Sequence, residues 1–352
     1  ISVHWGGICG TDLSEYTSGP ITIPTPSKPH SITGASLPIA FGHEFCGRVS
    51  ALPPSFPHNG VFKLNSPVMV DPSIICWKCA ACTSGLDNIC PQWGYIGLNG
   101  GARFSDKVNV EMRMCHLLPD DGSVDLNSVV LCQPLTVGRH ALAASGITGS
   151  ELRGMNVLVI GGGPVGLTVL LNLRAKGVGV GLMSEPTAKR SEMIRQLGLS
   201  HDTDILNPMM MNVAGECRAR TGGEGVDVVF DSAGVEAGML AGMESLKLRG
   251  TYVDIAGWKK PFTIPMHFAM FREINIKFSL GNNDVDYKEV VEDFAAGKFA
   301  GAEALITRRL PVEDLVEKGL EELARNKDTH VKIVATWRKD LLKEAQRPRA
   351  AL

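Results

Sequence analysis

At 352 residues the chain is long enough for two domains, since single hydrophobic cores stop growing near roughly 250–300 residues. With 44% hydrophobic residues, 20% charged residues and a net charge of −2, it is an ordinary globular composition with no electrostatic pull toward nucleic acid or an anionic membrane. Four tyrosines and five tryptophans offer few faces for stacking on bases, so neither nucleic acid nor membrane is expected as a partner.

The chain starts at Ile1, without Met, on the alternating run Ile1-Ser2-Val3-His4-Trp5. This predicts a strand and leaves open a natural N-terminus further upstream. Gly7-Ile8-Cys9-Gly10-Thr11-Asp12 follows, where glycines let the backbone bend and bring a sulfur close to a metal. Gly19 to Leu37, rich in proline, serine and threonine, is expected to be a long loop covering a site, and Pro53 to Asn65 a surface turn. His30 and His58 in these loops are expected to be plain exposed residues. After the apolar run Leu37 to Phe41, Gly42-His43-Glu44 sets an imidazole beside a carboxylate. Cys9, His43 and Glu44 are all good zinc ligands, and three protein ligands with an open fourth position describe a catalytic metal site. Sequence spacing alone does not bring Cys9 to His43.

Cys76, Cys79, Cys82 and Cys90 form CxxCxxCx7C, the sharpest motif in the chain. Four thiolates at this spacing predict a closed tetrahedral structural zinc site. An iron–sulfur cluster is the rival, but the ferredoxin spacing is not met. The cysteine total is nine, an odd number, and four of them are bunched, so metal binding rather than a disulfide framework is expected. No signal peptide is evident, and the reducing cytoplasm is the expected location.

Thr136 to Ser145 is expected to be a helix linking two domains, in which His140 packs or caps; neighbouring Cys132 is expected in extended backbone with its side chain in the core. Met155 to Lys176 then organises the second half. A buried strand, Asn156 to Ile160, turns through Gly161-Gly162-Gly163-Pro164-Val165-Gly166 into an apolar helix. Gly161, Gly163 and Gly166 have the GxGxxG spacing of a dinucleotide-binding turn, whose helix N-terminus presents N–H groups to a pyrophosphate. A transmembrane span is excluded there, because glycine, proline and Arg174 interrupt the run. A second apolar run, Val178 to Met183, leads to Glu185 about 20 residues beyond the glycines, where a ribose-binding acid is expected. Its charge disfavours a 2′-phosphate; Lys189 and Arg190 soften that preference, and the balance favours NAD over NADP.

Ala188 to Leu197 and Val226 to Phe230 continue the alternation. The turns Asp231-Ser232-Ala233-Gly234 and Val253-Asp254-Ile255-Ala256-Gly257 end two further strands and should edge the nicotinamide. Met209 to Met211 is expected to be a flexible helix start. Tyr287 to Ala296 and Val312 to Asn326 predict helices, Val331 to Thr336 a strand, and Trp337 to Leu352 a frayed charged tail.

GICGTD, GHE, the four-cysteine lobe and GxGxxG, in that order, resemble the zinc-dependent medium-chain alcohol dehydrogenase superfamily. GPITIPTPSKPHSITGASLPIAFGHEF, FDSAGVEAG and MFREINI are most similar to 2,3-butanediol dehydrogenases, with sorbitol dehydrogenases next. The resemblance covers nearly all of residues 1 to 336. It implies an α/β protein: a GroES-like β-rich catalytic domain over 1–136 carrying the zinc lobe, a Rossmann-type doubly wound parallel sheet over 137–283 binding NAD, and a return to the catalytic domain over 284–352. It also implies that N-terminal strands of the first domain lie before Ile1, leaving a barrel edge unpaired if they are absent.

By the same resemblance Cys9, His43 and Glu44 fall on the catalytic zinc motif, Thr11 on the hydroxyl that accepts the alcohol proton, Asp12 on the acid that orients His43, and Arg190 over the adenosine. Asn275 to Ser279 falls on the strand by which relatives extend their sheets across a dimer, so a homodimer or homotetramer is implied. Ser14 stands where relatives carry histidine; it can relay a proton through water but cannot hold the charge. Gln133 stands where relatives carry glutamate. The zinc shell of Cys9 and Glu44 is then formally neutral, which should lower the pKa of a bound alcohol, and Gln133 could ligate weakly through its carbonyl oxygen. The implied activity is NAD- and zinc-dependent oxidation of a small secondary alcohol, a vicinal diol or acyloin such as 2,3-butanediol or acetoin. Polyol oxidation is one alternative; a catalytically weak zinc protein that binds dinucleotide is another.

Overall fold

The computed structural model describes the chain except residues 58–59, 102–103, 148, 179–180, 199–204, 259, 327 and 346–352. His58 therefore lies outside the described residues. Two compact units emerge: Ile1–Gln133, Asn283–Gly297 and Glu303–Leu352 form one, and Pro134–Asn282 with Lys298–Ala302 the other.

The first unit holds β1 (Ser2–Gly7), β2 (Glu44–Arg48), β3 (Pro67–Val70), β4 (Ser73–Ile74), β5 (Gly94–Tyr95) and β6 (Cys115–Leu117). The second holds β7 (Val157–Ile160), β8 (Gly181–Ser184), β9 (Ile205–Leu206), β10 (Val226–Asp231), β11 (Leu246–Asp254) and β12 (Asn275–Phe278). The chain then returns to the first with β13 (Ile306–Pro311) and β14 (Lys332–Thr336).

In the first unit a six-stranded sheet runs β13-β14-β1-β2-β3-β6, antiparallel except for the β13–β14 pair. The opening run is an interior strand: Gly6 sits opposite Ala335 on one side and Phe45 on the other. A bulge between Val3 and Trp5 lets both of those side chains and His4 point inward. Val3, Phe45, Val68, Val70 and Ile96 form one core cluster, and Ile8, Leu310, Leu315, Leu320 and Ile333 another.

Two segments of this unit differ from expectation. Val312 to Asn326 is not one α-helix but a 3₁₀ turn (Val312–Asp314), a π-helical turn (Leu315–Leu320) and a short α-helix (Glu321–Arg325). The wider turn brings Leu315 and Leu320, five residues apart, into the same cluster and lets Gly319 pack against Ile8. Beyond Trp337 the charged segment forms a helix, Lys339–Ala345, because lysine, leucine, glutamate and alanine are good helix formers and Arg338 pairs with Asp340 at 2.6 Å. Of the tail expected to fray, 346–352 lies outside the described residues.

The second unit is a parallel six-stranded sheet ordered β12-β11-β10-β7-β8-β9, so the strand before the glycine turn lies at its centre. Leu158, Ile160, Val229, Met243 and Tyr252 fill the core on one face. The linking helix spans Cys132–Ala144, starting before Thr136. Cys132 is fully buried, but in helical rather than extended backbone. Met209 to Met211 form a turn with all three side chains exposed, and the helix Val213–Arg220 begins after it, where Asn212 Oδ1 accepts from Gly215 N at 2.9 Å.

Candidate metal and dinucleotide sites

Strand pairing explains how distant residues meet in the first unit. β1 and β2 are antiparallel with Gly7 opposite Glu44, so the chain leaving β1 and the chain entering β2 lie at the same end of the sheet. Cys9 follows β1 and N-caps the helix Gly10–Ser18; His43 precedes β2. The Cys9 sulfur, a His43 nitrogen and a Glu44 oxygen lie within 4.8 Å of one another. A side chain at Gly7 would collide with the Glu44 carboxylate, which is why glycine stands there.

Asp12 is fully buried and binds the segment together. Its Oδ2 accepts from Cys9 N at 2.8 Å and its Oδ1 from Gly42 N at 3.3 Å, where Gly42 takes φ +97°. Asp12 Oδ1 also lies 3.4 Å from His43 Nδ1, which has no aligned hydrogen-bond partner. Burial opposes a charge on His43, but Asp12 and Cys9 hold its pKa well above the ordinary imidazole value. The Tyr95 ring stacks on His43 with centroids 5.1 Å apart. A half-buried thiol crowded against a buried imidazole and a buried carboxylate is a donor set that suits zinc.

Thr11 Oγ1 lies 3.8 Å from Cys9 Sγ, and Ser14 is three residues further along the same helix, on the same face. Gln133 is buried and hydrogen-bonds Tyr95, so it joins the group through the ring that covers His43.

Two residues that the motifs do not contain belong here. Lys332 of β14 is 5% exposed and donates to both Glu44 oxygens at 2.6 Å and to Ile8 O at 3.1 Å. Its only signal in sequence is a lysine inside the apolar run Val331 to Thr336. Glu15, also buried, accepts from Ile21 N (2.8 Å), Thr22 N (2.5 Å), Thr22 Oγ1 (2.6 Å) and Ile23 N (3.3 Å). It thus fastens the start of the proline-rich loop. Burial alone would raise its pKa, but the Thr22 hydroxyl and these backbone N–H groups outweigh that and lower it. The stabilisation is therefore present above the ordinary carboxylate pKa of about 4.3 and is lost as pH falls below it. Glu15→Ala should cost on the order of 2–3 kcal/mol at pH 7, and urea denaturation should show the gap to wild type closing in acid.

The lobe is built on backbone N–H groups aimed at sulfur. Cys79 N donates to Cys76 Sγ at 3.3 Å, and Cys82 N to Cys79 Sγ at 3.5 Å. The Cys79–Cys82, Cys76–Cys82 and Cys79–Cys90 sulfurs are 3.5, 3.9 and 3.9 Å apart, and no cysteine is disulfide-bonded. A tetrahedron with zinc–sulfur bonds of about 2.3 Å has edges of about 3.8 Å, so the spacing fits. The Lys78 and Cys79 N–H groups bring the Cys76 thiol down to about 6.

In the second unit Gly161 takes φ +93°, and a Cβ at Gly166 would run into the carbonyl oxygen of Gly161. Pro164 opens the helix Pro164–Ala175, with Val165 in its first turn. Gly163, its N-cap, faces open space: a Cβ there would meet nothing nearer than Arg190 Nη1 at 3.8 Å. Glu185 is buried just past β8; its Oε2 accepts from Gly162 N at 2.7 Å and its Oε1 from Thr187 N at 2.7 Å, with Arg190 Nη1 4.0 Å away. Ser232 Oγ donates to Ile160 O, and Asp231 accepts from Ala233 N and the Tyr252 hydroxyl, so the turn after β10 abuts the glycine turn. An uncluttered backbone cradle at the C-terminal edge of a parallel sheet, beside a buried acid, suits a dinucleotide.

Residues 1–120 match the alcohol dehydrogenase GroES-like domain and residues 164–296 the zinc-binding dehydrogenase domain. The chain is 34% identical to a (R,R)-butanediol dehydrogenase of Neisseria gonorrhoeae, covering 95% of this chain and 91% of the relative. A sorbitol dehydrogenase of Bacillus subtilis is 28% identical, covering 91% and 86%. The crystal structure of 2R,3R-butanediol dehydrogenase from Bacillus subtilis superposes with a TM-score of 0.85 at 30% identity, covering 96% of this chain and 92% of that one.

Proposed function

The chain belongs to the zinc-dependent medium-chain alcohol dehydrogenases, and we propose that it interconverts a vicinal diol and its acyloin, 2,3-butanediol and acetoin, with NAD. The observation that carries this reading is the convergence of Cys9, His43 and Glu44 in a chain whose relatives at 30% identity or more include butanediol dehydrogenases. When bound, zinc supplies a Lewis acid that lowers the pKa of the substrate hydroxyl, and the dinucleotide supplies the hydride acceptor.

Cys9, His43 and Glu44 would hold the metal. Asp12 fixes the His43 ring, while Lys332 matches the Glu44 charge. Thr11 would take the substrate proton, and Ser14, on the same helix face, would hand it to solvent through water. Gln133 holds Tyr95 against His43 and contributes no charge. Cys76, Cys79, Cys82 and Cys90 would hold a second, structural zinc.

Glu185 favours NAD, because a buried carboxylate repels a 2′-phosphate. The outer edge of β12, with Phe278 and Leu280 exposed, supports a homodimer or a homotetramer built on it. Among the described residues no helix is long and apolar enough to cross a membrane. Cysteines without disulfides support a reducing, cytoplasmic location.

Steady-state kinetics across 2,3-butanediol stereoisomers, acetoin, sorbitol and xylitol test the assignment. The expected result is a kcat/KM for one butanediol isomer at least tenfold above either polyol; the reverse order would transfer the chain to the polyol branch.

A further inference from the structure

In the first unit three further segments converge. Asp71 directly follows β3. His116 lies in β6, opposite Met69 of β3. Asp284 is the first residue of the helix Asp284–Ala295. One ligand atom from each lies within 4.8 Å of the other two. Asp71 is 7% exposed, whereas Asp284 opens to solvent and gives an ion a way in.

The imidazole is held ready rather than spent. His116 stacks on Tyr287 with centroids 5.0 Å apart, and the Tyr287 hydroxyl donates to Val70 O at 2.8 Å, which fixes the stacking partner. His116 Nε2 is fully buried and has no hydrogen-bond partner. A buried ring nitrogen left unsatisfied is costly unless a ligand takes it. The carboxylates are in the opposite predicament. Asp71 is buried, with an Asp284 carboxylate oxygen within 4.8 Å of one of its own. Asp87 in turn accepts from Asp284 N at 3.4 Å. A cation would relieve both.

We propose that Asp71, His116 and Asp284 form a further divalent-cation site, suited to Zn²⁺ with water completing the shell. One imidazole and two carboxylates are borderline-to-hard donors that zinc accepts in mixed sets. The site is chemically unlike the four-cysteine lobe and shares no residue with the Cys9 set. Its ion ties the end of β3 and β6 to the helix Asp284–Ala295, which lies more than 160 residues later in sequence.

The full chain, carrying the zinc it retains on purification, is dialysed to equilibrium against micromolar free Zn²⁺, and bound metal is counted for wild type, Asp284→Ala and His116→Gln. Wild type should hold one more zinc ion per chain than either variant. Added zinc should also raise the melting temperature of wild type and not of Asp284→Ala. Asp284 is exposed, and the Asn283 cap with its bond to Asp286 N remains, so that variant folds and decides the test if His116→Gln does not fold. Equal zinc content in wild type and Asp284→Ala, or an equal zinc-induced melting shift, would overturn the proposal whatever the enzyme's activity.

Discussion

Lys332→Met should destabilise the first unit by about 3–5 kcal/mol at neutral pH, the usual consequence of removing one partner from a buried ion pair. Glu44 is 1% exposed and both its oxygens are taken by Lys332. Without the ammonium, a carboxylate stays buried beside the Cys9 sulfur. Methionine fills the lysine stem's space, so the loss is of charge rather than volume. The double variant Lys332→Met/Glu44→Gln should recover most of the loss, since removing both charges leaves neither stranded. Urea midpoints for the four proteins of the cycle read this directly.

The direction of its pH dependence is fixed as well. Burial pulls the Lys332 pKa down, but Glu44, Cys9 and Asp12 outweigh it and raise it above the ordinary lysine value. As far as the lysine's own titration goes, the stabilisation is present below about pH 10.4, the ordinary lysine pKa, and is lost as pH rises through the higher folded value.

The second large effect separates two glycines of one turn. At Gly163 an added methyl meets no protein atom closer than 3.8 Å, so Gly163→Ala should fold with an unchanged melting temperature. The same methyl occupies the space into which a pyrophosphate must come, and NADH affinity should fall at least tenfold, about 1.4 kcal/mol. At Gly166 the methyl runs into the Gly161 carbonyl and approaches Ser232 Oγ at 2.9 Å, so the helix must leave the sheet. Gly166→Ala should lose stability and affinity together, by about 1–3 kcal/mol in stability. Fluorescence titration with NADH beside a melting curve distinguishes the two. If both glycines behave alike, the cradle is a packing feature rather than a ligand site.

The glycine turn is legible in the sequence because its proposed cofactor role and its packing demand the same residues in one unbroken strand–turn–helix. The four-cysteine cluster is legible because its cysteines are local in the chain. Cys9 and His43 are recognisable only as separate candidates: what unites them is the antiparallel register of β1 and β2, a property of pairing that spacing along the chain does not carry. Lys332 is invisible for a different reason. A single lysine in a strand ordinarily faces water, and only β14's place beside β1 turns it toward Glu44.

That contact also changes the charge count at the proposed metal site. Cys9 and Glu44 alone would make a bound zinc neutral, but Lys332 and Asp12 add one charge of each sign, so neutrality survives with different partners. The π-helical turn at Leu315–Leu320 and the helix Lys339–Ala345 escape a reading of periodicity, which suggests a straight helix and a loose tail, because tertiary packing and local charge pairs decide them. Lys298–Ala302 joins the second unit while its neighbours join the first, a crossing that no composition boundary marks.

In the proposed function, Cys9, His43 and Glu44 hold the metal that makes this chain an NAD-linked dehydrogenase. The most direct measurement is NADH formation from 2,3-butanediol by wild type and Cys9→Ser, with NADH binding followed in parallel. Wild type should turn over, and Cys9→Ser should lose at least about a hundredfold in kcat, as expected when a metal ligand is removed, while binding NADH as tightly as wild type. Turnover by Cys9→Ser within a few-fold of wild type would contradict a metal held by Cys9, and a wild type that binds NADH yet oxidises none of the alcohols would contradict the dehydrogenase.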